Sequence, residues 1–186
     1  EEFPAPLEPE PPAAVPLAEL LTKHIRVAIA GTLGAVACFG LFYICTAFSL
    51  SYATTGLGLA RNQPLSIQLG AIILMAVGIV LAGWWSDKLS ARRVLIAGCA
   101  ATVILCFVFG TGFDGVGPQM LFVVLAVALF IMGFTYGPLG EWLTSLFPPR
   151  VRYSGSSFAF NVGGIIGGAA APIAAQYLVT NYDIGA

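Results

Sequence analysis

Charge is what this chain has least of. Only 9% of its 186 residues are charged, against 58% that are hydrophobic. A water-soluble domain carries about 25% charged residues. Too little polar surface remains for water to be the solvent, and lipid is the solvent that fits. The net charge of −1 supplies no positive field for a phosphate backbone, so no nucleic-acid partner is expected. Histidine is nearly absent. The one example, His24, sits beside Lys23 ahead of the first oily run, a solvated interfacial place that rules it out as a mid-membrane proton relay. The long apolar runs hold no histidine, no GxGD and no HExxH. That excludes the serine, aspartate and metal chemistry of intramembrane proteases, and no enzymatic activity, cofactor or metal site is expected. The four cysteines, Cys38, Cys45, Cys99 and Cys106, lack CxxC spacing and a nearby histidine. Each pair is seven residues apart, two helical turns, so each pair shares a helix face and reads as small buried hydrophobes.

What is there falls into blocks. Residues 1–16, EEFPAPLEPEPPAAVP, hold six prolines and four glutamates. Such a stretch cannot bury a core and reads as a solvated, extended cytoplasmic linker. No signal peptide opens the chain, which is expected to be a piece of something longer. Residues 17–26, LAELLTKHIR, can form a short amphipathic helix at a membrane surface. Charges then vanish from Val27–Ala60, Asn62–Ser86, Val94–Phe113, Gly115–Gly140 and Tyr153–Tyr182. About 20 apolar residues cross a bilayer as a helix. The runs therefore predict five spans within a transmembrane domain over 27–182, at roughly 27–53, 64–86, 93–112, 118–146 and 154–179. Pro64 and Pro118 mark starts, and Pro148 and Pro149 follow a stop. Every backbone polar group in hydrocarbon needs an internal partner, so runs this long are helices. A barrel would show short alternating segments, which are missing.

Basic residues set the expected orientation. With the N-terminus in the cytoplasm, the inner side holds Lys23, Arg26, Lys88, Arg92, Arg93, Arg150 and Arg152, and the outer side only Arg61. The positive-inside rule then puts the end of the chain, 183–186, outside. A multi-pass protein of the plasma (inner) membrane is expected, with the bilayer as its first partner.

Two stretches carry more pattern than an anchor needs. In GWWSDKLSARR, the residues Gly83, Asp87, Lys88, Arg92 and Arg93 resemble the G-x-x-x-D-[RK]-x-G-[RK]-[RK] loop of the major facilitator superfamily. Ser90 stands where that family has glycine, and Ala91 where it has a basic residue. YGPLGEWLTSLFPPRVRYSG, from Tyr136 to Gly155, resembles the tenth helix and following loop of the metabolite:proton symporter branch. The match runs through Leu146, Phe147, Pro148, Arg150, Arg152, Tyr153, Ser154 and Gly155. The resemblance covers residues 17–182 in order and spacing. It implies an all-α membrane protein, the partial C-terminal half of a twelve-helix fold with helices seven to eleven present. The N-terminal six-helix half and helix twelve are then further partners. It also implies secondary transport of a small polar metabolite, an organic acid, betaine or amino acid, driven by the proton gradient through alternating access. A membrane scaffold that moves nothing is the alternative.

The family places an ion-pair network at the cytoplasmic gate, and here Ser145 replaces its glutamate. Glu141, one turn earlier on the same helix face, is expected to take that role by pairing with Arg92, Arg93 or Arg150; Lys88 and Arg152 belong to the same gate region. Proton carriage and snorkelling to the interface are the other readings of Glu141. Asp87 is a loop acid or, by resemblance, docks on the positive end of a neighbouring helix. On the last span Gly163 and Gly167, and Gly164 and Gly168, form overlapping GxxxG pairs that let helices approach closely. Pro172 is a candidate kink. Polar residues able to face a substrate path are few: Tyr43 and Thr46 on span one, with Ser49 and Tyr52 further along it, Gln68 on span two, Tyr136 on span four and Asn161 on span five. Asn161 needs either an interhelical hydrogen bond or a substrate contact.

Overall fold

Hydrocarbon leaves the backbone one economical solution, and the described residues take it. The computed structural model describes residues 16–109 and 117–182, and these are helical with short connections and no strand among them. Helix α1 runs Pro16–Lys23, α2 Ile25–Tyr43, α3 Ser49–Thr55, α4 Asn62–Lys88, α5 Ala91–Phe109, α6 Pro118–Tyr136, α7 Leu139–Leu146 and α8 Arg152–Tyr182. A π-helical turn, Ile44–Phe48, joins α2 to α3 without a break in the rod. Among the described residues, four stretches are long and apolar enough to cross a membrane: Ile25–Thr55, Asn62–Lys88, Pro118–Leu146 and Arg152–Asn181. Helix α5 is the fifth long helix and runs up to the edge of the described residues.

Prolines punctuate as their chemistry requires. Pro118 opens α6 at a position whose N–H would have no partner in any case. Pro138 has no N–H to donate, and the oily stretch 118–146 is divided there into α6 and α7 rather than forming one unbroken helix. Pro172 lies inside α8, which continues through it. Of the cysteines, Cys38 and Cys45 are buried, as small hydrophobes should be. Cys99 and Cys106 share the outer face of α5 and are exposed, a correction to the expectation that all four are buried.

Contacts at the glycines fix the helix directions. Gly31 lies against Ala159 and Gly40 against Ala171, so α2 and α8 run parallel. Gly70 meets Phe122 and Gly78 meets the Phe130 carbonyl, so α4 and α6 also run parallel. Helix α6 is the hub. Leu121, Leu125 and Leu129 join Ala71, Leu105 and Cys45 in one apolar cluster. Met132 joins Leu139, Leu143, Phe147, Cys38 and Ala28 in the other. Leu20 reaches that second cluster and is wholly buried, which ties α1 to the bundle. The outward faces stay apolar, with Ile96, Ile104 and Phe107 of α5 and Ile165, Ile173 and Tyr177 of α8 exposed. An oily outside on an all-helical bundle defines a membrane protein.

Candidate functional site

Alternation of the long helices gathers the cations. The C-terminal end of α4 and the N-terminal ends of α2, α5 and α8 share one end of the bundle. That end therefore holds Lys23, Arg26, Lys88, Arg92, Arg93, Arg150 and Arg152, together with Glu19, Asp87 and Glu141. Helix α4 has 27 residues, about 40 Å of rise at 1.5 Å per residue. Across that length lies Arg61, the sole charged side chain among the described residues of the far end.

At the cationic end, Lys88 places its Nζ 3.6 Å from the centre of the Trp84 ring, a cation–π contact at the level where a tryptophan belongs. Arg92 and Arg93 occupy the first turn of α5, where the helix dipole disfavours positive charge. Their placement does not serve the stability of that helix. Arg152 donates from Nε to the Phe147 carbonyl at 3.3 Å and so holds the turn between α7 and α8. Glu141 lies exposed in the first turn of α7, where the dipole favours an acid. Ser145 is exposed on the same face, its hydroxyl turned back to the Trp142 carbonyl. Helix α7 packs on the α5 that carries the arginine pair, yet no ion pair joins Glu141 to Arg92 or Arg93. At the same end Lys23 pairs with Glu19 at 3.5 Å.

The loop that links α4 to α5 holds a backbone feature. Ser90 has φ 152°, in the region that glycine enters freely and other residues rarely do. This is the position where the resembling motif has glycine, and the geometry supplies the reason. A Cβ on Gly83 would meet nothing within 4 Å. Asp87 is exposed, and the buried Ser86 hydroxyl beside it has no hydrogen-bond partner among the described residues.

Closer to the Arg61 end than to the middle of the bundle, the structure brings together three of the polar residues singled out in the sequence. Gln68 is buried, and its Nε2 donates to the Thr46 carbonyl at 2.6 Å, to the Ser49 Oγ at 3.1 Å and to the Cys45 carbonyl at 3.4 Å. All three acceptors belong to the π-helical turn or its last edge. Carbonyls displaced from the regular i−4 ladder need donors in hydrocarbon, and Gln68 supplies them from α4. The hydroxyls of Thr46 and Ser49 bond back to the Phe42 and Cys45 carbonyls, which further loosens the ladder. The π turn was not legible in advance; the cluster of Thr46, Ser49 and Gln68 was its only trace.

Tyr136, Tyr43 and Asn161 lie apart from that cluster. Tyr136 sits edge-on to Phe39, with ring centres 6.4 Å apart, and beside Phe160 in an aromatic knot between α2, α6 and α8. Tyr43 is partly exposed next to Phe42 and covers Gly168. Asn161 finds its partner on its own helix, donating to the Ser157 carbonyl at 2.8 Å, and bridges no second helix. Gly163 and Gly167 face α2, where a Cβ on either would press on the Thr32 or Val36 carbonyl. Gly164 and Gly168 instead face the Phe39 and Tyr43 rings. A second such contact escaped notice in the sequence. Gly78, Gly133 and Gly137 bring the α4 and α6 backbones together, and Gly133-x-x-x-Gly137 is itself a GxxxG pair.

The class of molecule is thus a multi-pass helical membrane protein with one cationic end and buried polar groups between its helices. Residues 13–185 match the family model of the Major Facilitator Superfamily, and the chain belongs to that family. It is 38% identical over 177 residues to the inner membrane metabolite transport protein YhjE of Escherichia coli K12, covering 92% of this chain and 40% of that protein. It is 34% identical over 163 residues to a putative metabolite transport protein of Haemophilus influenzae, covering 82% of this chain and 37% of that protein. A shikimate transporter of Escherichia coli K12 is 28% identical over 144 residues, covering 75% of this chain and 32% of that protein. The chain therefore spans about two fifths of the length of the first two relatives. No solved structure matches it.

Proposed function

We propose that the chain forms helices seven to eleven of a twelve-helix, proton-coupled symporter of the inner membrane. The N-terminal six helices and helix twelve complete the path, and residues 1–16 form the cytoplasmic linker between halves. The observation that carries the reading is the family match over residues 13–185, together with a relative named as a metabolite transport protein at 38% identity. The positive-inside bias supports a cytoplasmic N-terminus. The substrate is a small polar metabolite. A relative named as a shikimate transporter favours an organic acid, with amino acids and betaines the next classes to try. The substrate meets the half along Tyr43, Thr46, Gln68, Tyr136 and Asn161, as helices of the two halves rock about it.

Glu141 is the gate residue. In the cytoplasm-closed state its carboxylate pairs with Arg92, Arg93 or Arg150; in the present arrangement it is exposed. Removing either partner of a dry ion pair is costly, and swapping both is not. Glu141→Arg and Arg92→Glu should each lower uptake, and the double exchange should restore it. No rescue with any of the three arginines overturns the gate role.

The decisive experiment is uptake by the full-length protein in proteoliposomes under an imposed pH gradient, with shikimate, proline and glycine betaine as labelled probes. Accumulation that collapses with the gradient supports proton symport. Uptake indifferent to the gradient overturns the coupling, and no uptake across a broad metabolite panel returns the chain to the scaffold reading.

A further inference from the structure

We infer that the end of the bundle opposite the cationic cluster carries a docking site for small organic carboxylates, with Arg61 as its charged group. The site is a cavity of about 360 Å³ lined by Ala47, Leu50, Ser51, Thr54, Leu59 and Arg61. That is the size range of small-molecule pockets. Four of the six lining residues come from one face of the rod formed by the π turn and α3, and two from the connection before α4.

Three features select the ligand. Arg61 is a guanidinium in a region with no described carboxylate, since Glu19, Asp87 and Glu141 all lie at the other end. Its positive charge is therefore uncompensated among the described residues, and a planar fork of donors matches a carboxylate. Ala47, Leu50 and Leu59 give the cavity apolar walls for a hydrocarbon body. Ser51 and Thr54 add hydroxyls along one side. The Thr54 hydroxyl donates to the Leu50 and Ser51 carbonyls at 3.0 Å each, which leaves its oxygen lone pairs free to accept from a hydroxylated ligand. A zwitterion or a cation would bring an ammonium against Arg61 and gains less.

The cavity also lies in register with the polar residues around the π turn. Tyr43, Ala47, Ser51 and Thr54 follow one another along the same rod, and Gln68 fixes the π turn between them. An extra residue in that turn rotates everything beyond it. The bond from Gln68 thus decides which face of α3 looks into the cavity. The site's use as an entry station rests on the transport reading, but its existence does not.

The test needs no knowledge of the substrate. Ser51→Cys and Thr54→Cys are introduced separately into the full-length protein, reconstituted in phosphatidylcholine vesicles. Each is reacted with sulfonate-bearing and trimethylammonium-bearing methanethiosulfonates from either side, against the unsubstituted protein as baseline. The sulfonate reagent should react faster at both positions. Arg61→Gln should cut the ratio of the two rates about tenfold, since one unit charge near contact favours one reagent and opposes the other. Arg61→Lys should keep most of the ratio. Benzoate and quinate should slow labelling where Arg61 is present, and benzamide should not. Rates blind to reagent charge, or equal protection by benzamide, overturn the proposal, as does failure of either cysteine to react from at least one side. Slowing by added phosphatidylglycerol without any by benzoate overturns it too, by assigning Arg61 to a lipid headgroup. Protection without uptake in the transport assay would sink the transporter reading and leave the site standing.

Discussion

The crossing of α4 with α6 and the crossing of α2 with α8 solve one problem in two settings. In both, parallel helices touch backbone to backbone because glycine removes the side chain that would hold them apart. At α4/α6 both helices contribute: Gly78 faces the Phe130 carbonyl, and Gly133 and Gly137 face the Met75 and Ile79 carbonyls. At α2/α8 the glycines come mainly from α8, and α2 answers with Thr32, Ala35, Val36 and Gly40. The difference lies in the surroundings. Of the most apolar 18 residues in each stretch, half are buried in α6–α7, against 17% in α8. A hub helix has no room to yield, whereas a rim helix can slide. Close packing is thus a matter of strength in one place and of tolerated movement in the other.

The comparison breaks if both crossings respond alike to an added side chain. Gly133→Leu should be the most damaging change, because even its Cβ runs into the Met75 carbonyl, which is backbone and cannot rotate away. Overpacking costs ~1–3 kcal/mol and occasionally more, and this site belongs at or above the upper limit. The expected result is loss of monodisperse protein on size exclusion. Gly163→Leu meets the Ala35 Cβ at 2.5 Å and the Thr32 carbonyl at 2.9 Å, but α8 can shift outward. A cost of about 2 kcal/mol, read as a lowered thermal midpoint with folded protein still recovered, is expected. Gly164→Ala is the control. Its nearest neighbour is the Phe39 ring at 3.5 Å, ordinary contact, and helix propensity gains up to about 1 kcal/mol. A Gly164→Ala protein less stable than Gly163→Leu would refute the assignment of faces on α8.

Legibility followed the same line. Hydropathy alone marked the four stretches that are long and apolar enough to cross a membrane among the described residues, because lipid makes helix the default and charge the punctuation. The α8 glycine face was readable because both pairs sit on one helix at spacing four. Gly78 was not, because its partner surface lies more than fifty residues away, on a helix whose register against α4 no local pattern sets. The π turn was hidden for a similar reason. Its cause is shared between two hydroxyls on one rod and the Gln68 amide on another. At the candidate gate the residue types and their common end were readable, whereas no ion pair of Glu141 with Arg92 or Arg93 forms among the described residues.

Gln68 joins the two helix pairs, so it sharpens the comparison from the middle. Gln68→Leu keeps much of the volume and removes the donor to the π turn. A buried acceptor left unsatisfied costs ~1–3 kcal/mol. The Thr46 carbonyl retains the Ser49 N–H, which places the expected loss near the lower figure. The thermal midpoint should fall less than in Gly163→Leu. The sulfonate preference at Ser51→Cys should fall as well, because the cavity face of α3 depends on the turn. A fall in stability with cavity labelling unchanged would separate the lock from the register it is held to set.

The smallest effect is expected to be a gain, between α4 and α5, outside either crossing. Ser90 holds φ 152°, and a non-glycine residue in such a region stores ~1–3 kcal/mol of strain. Ser90→Gly relieves it. Glycine also adds freedom to the unfolded chain, which takes back ~0.4–1 kcal/mol. The balance favours glycine by about 1 kcal/mol, so the thermal midpoint should rise slightly. Ser90→Ala changes little, since it keeps the Cβ that causes the strain, and the pair of variants isolates backbone conformation from loss of the hydroxyl. If alanine and glycine shift the midpoint equally, the hydroxyl is the cause and the loop carries no strain. If glycine alone raises it, the serine is a cost borne in the connection between α4 and α5, at the one position in the loop where the resembling motif avoids any side chain.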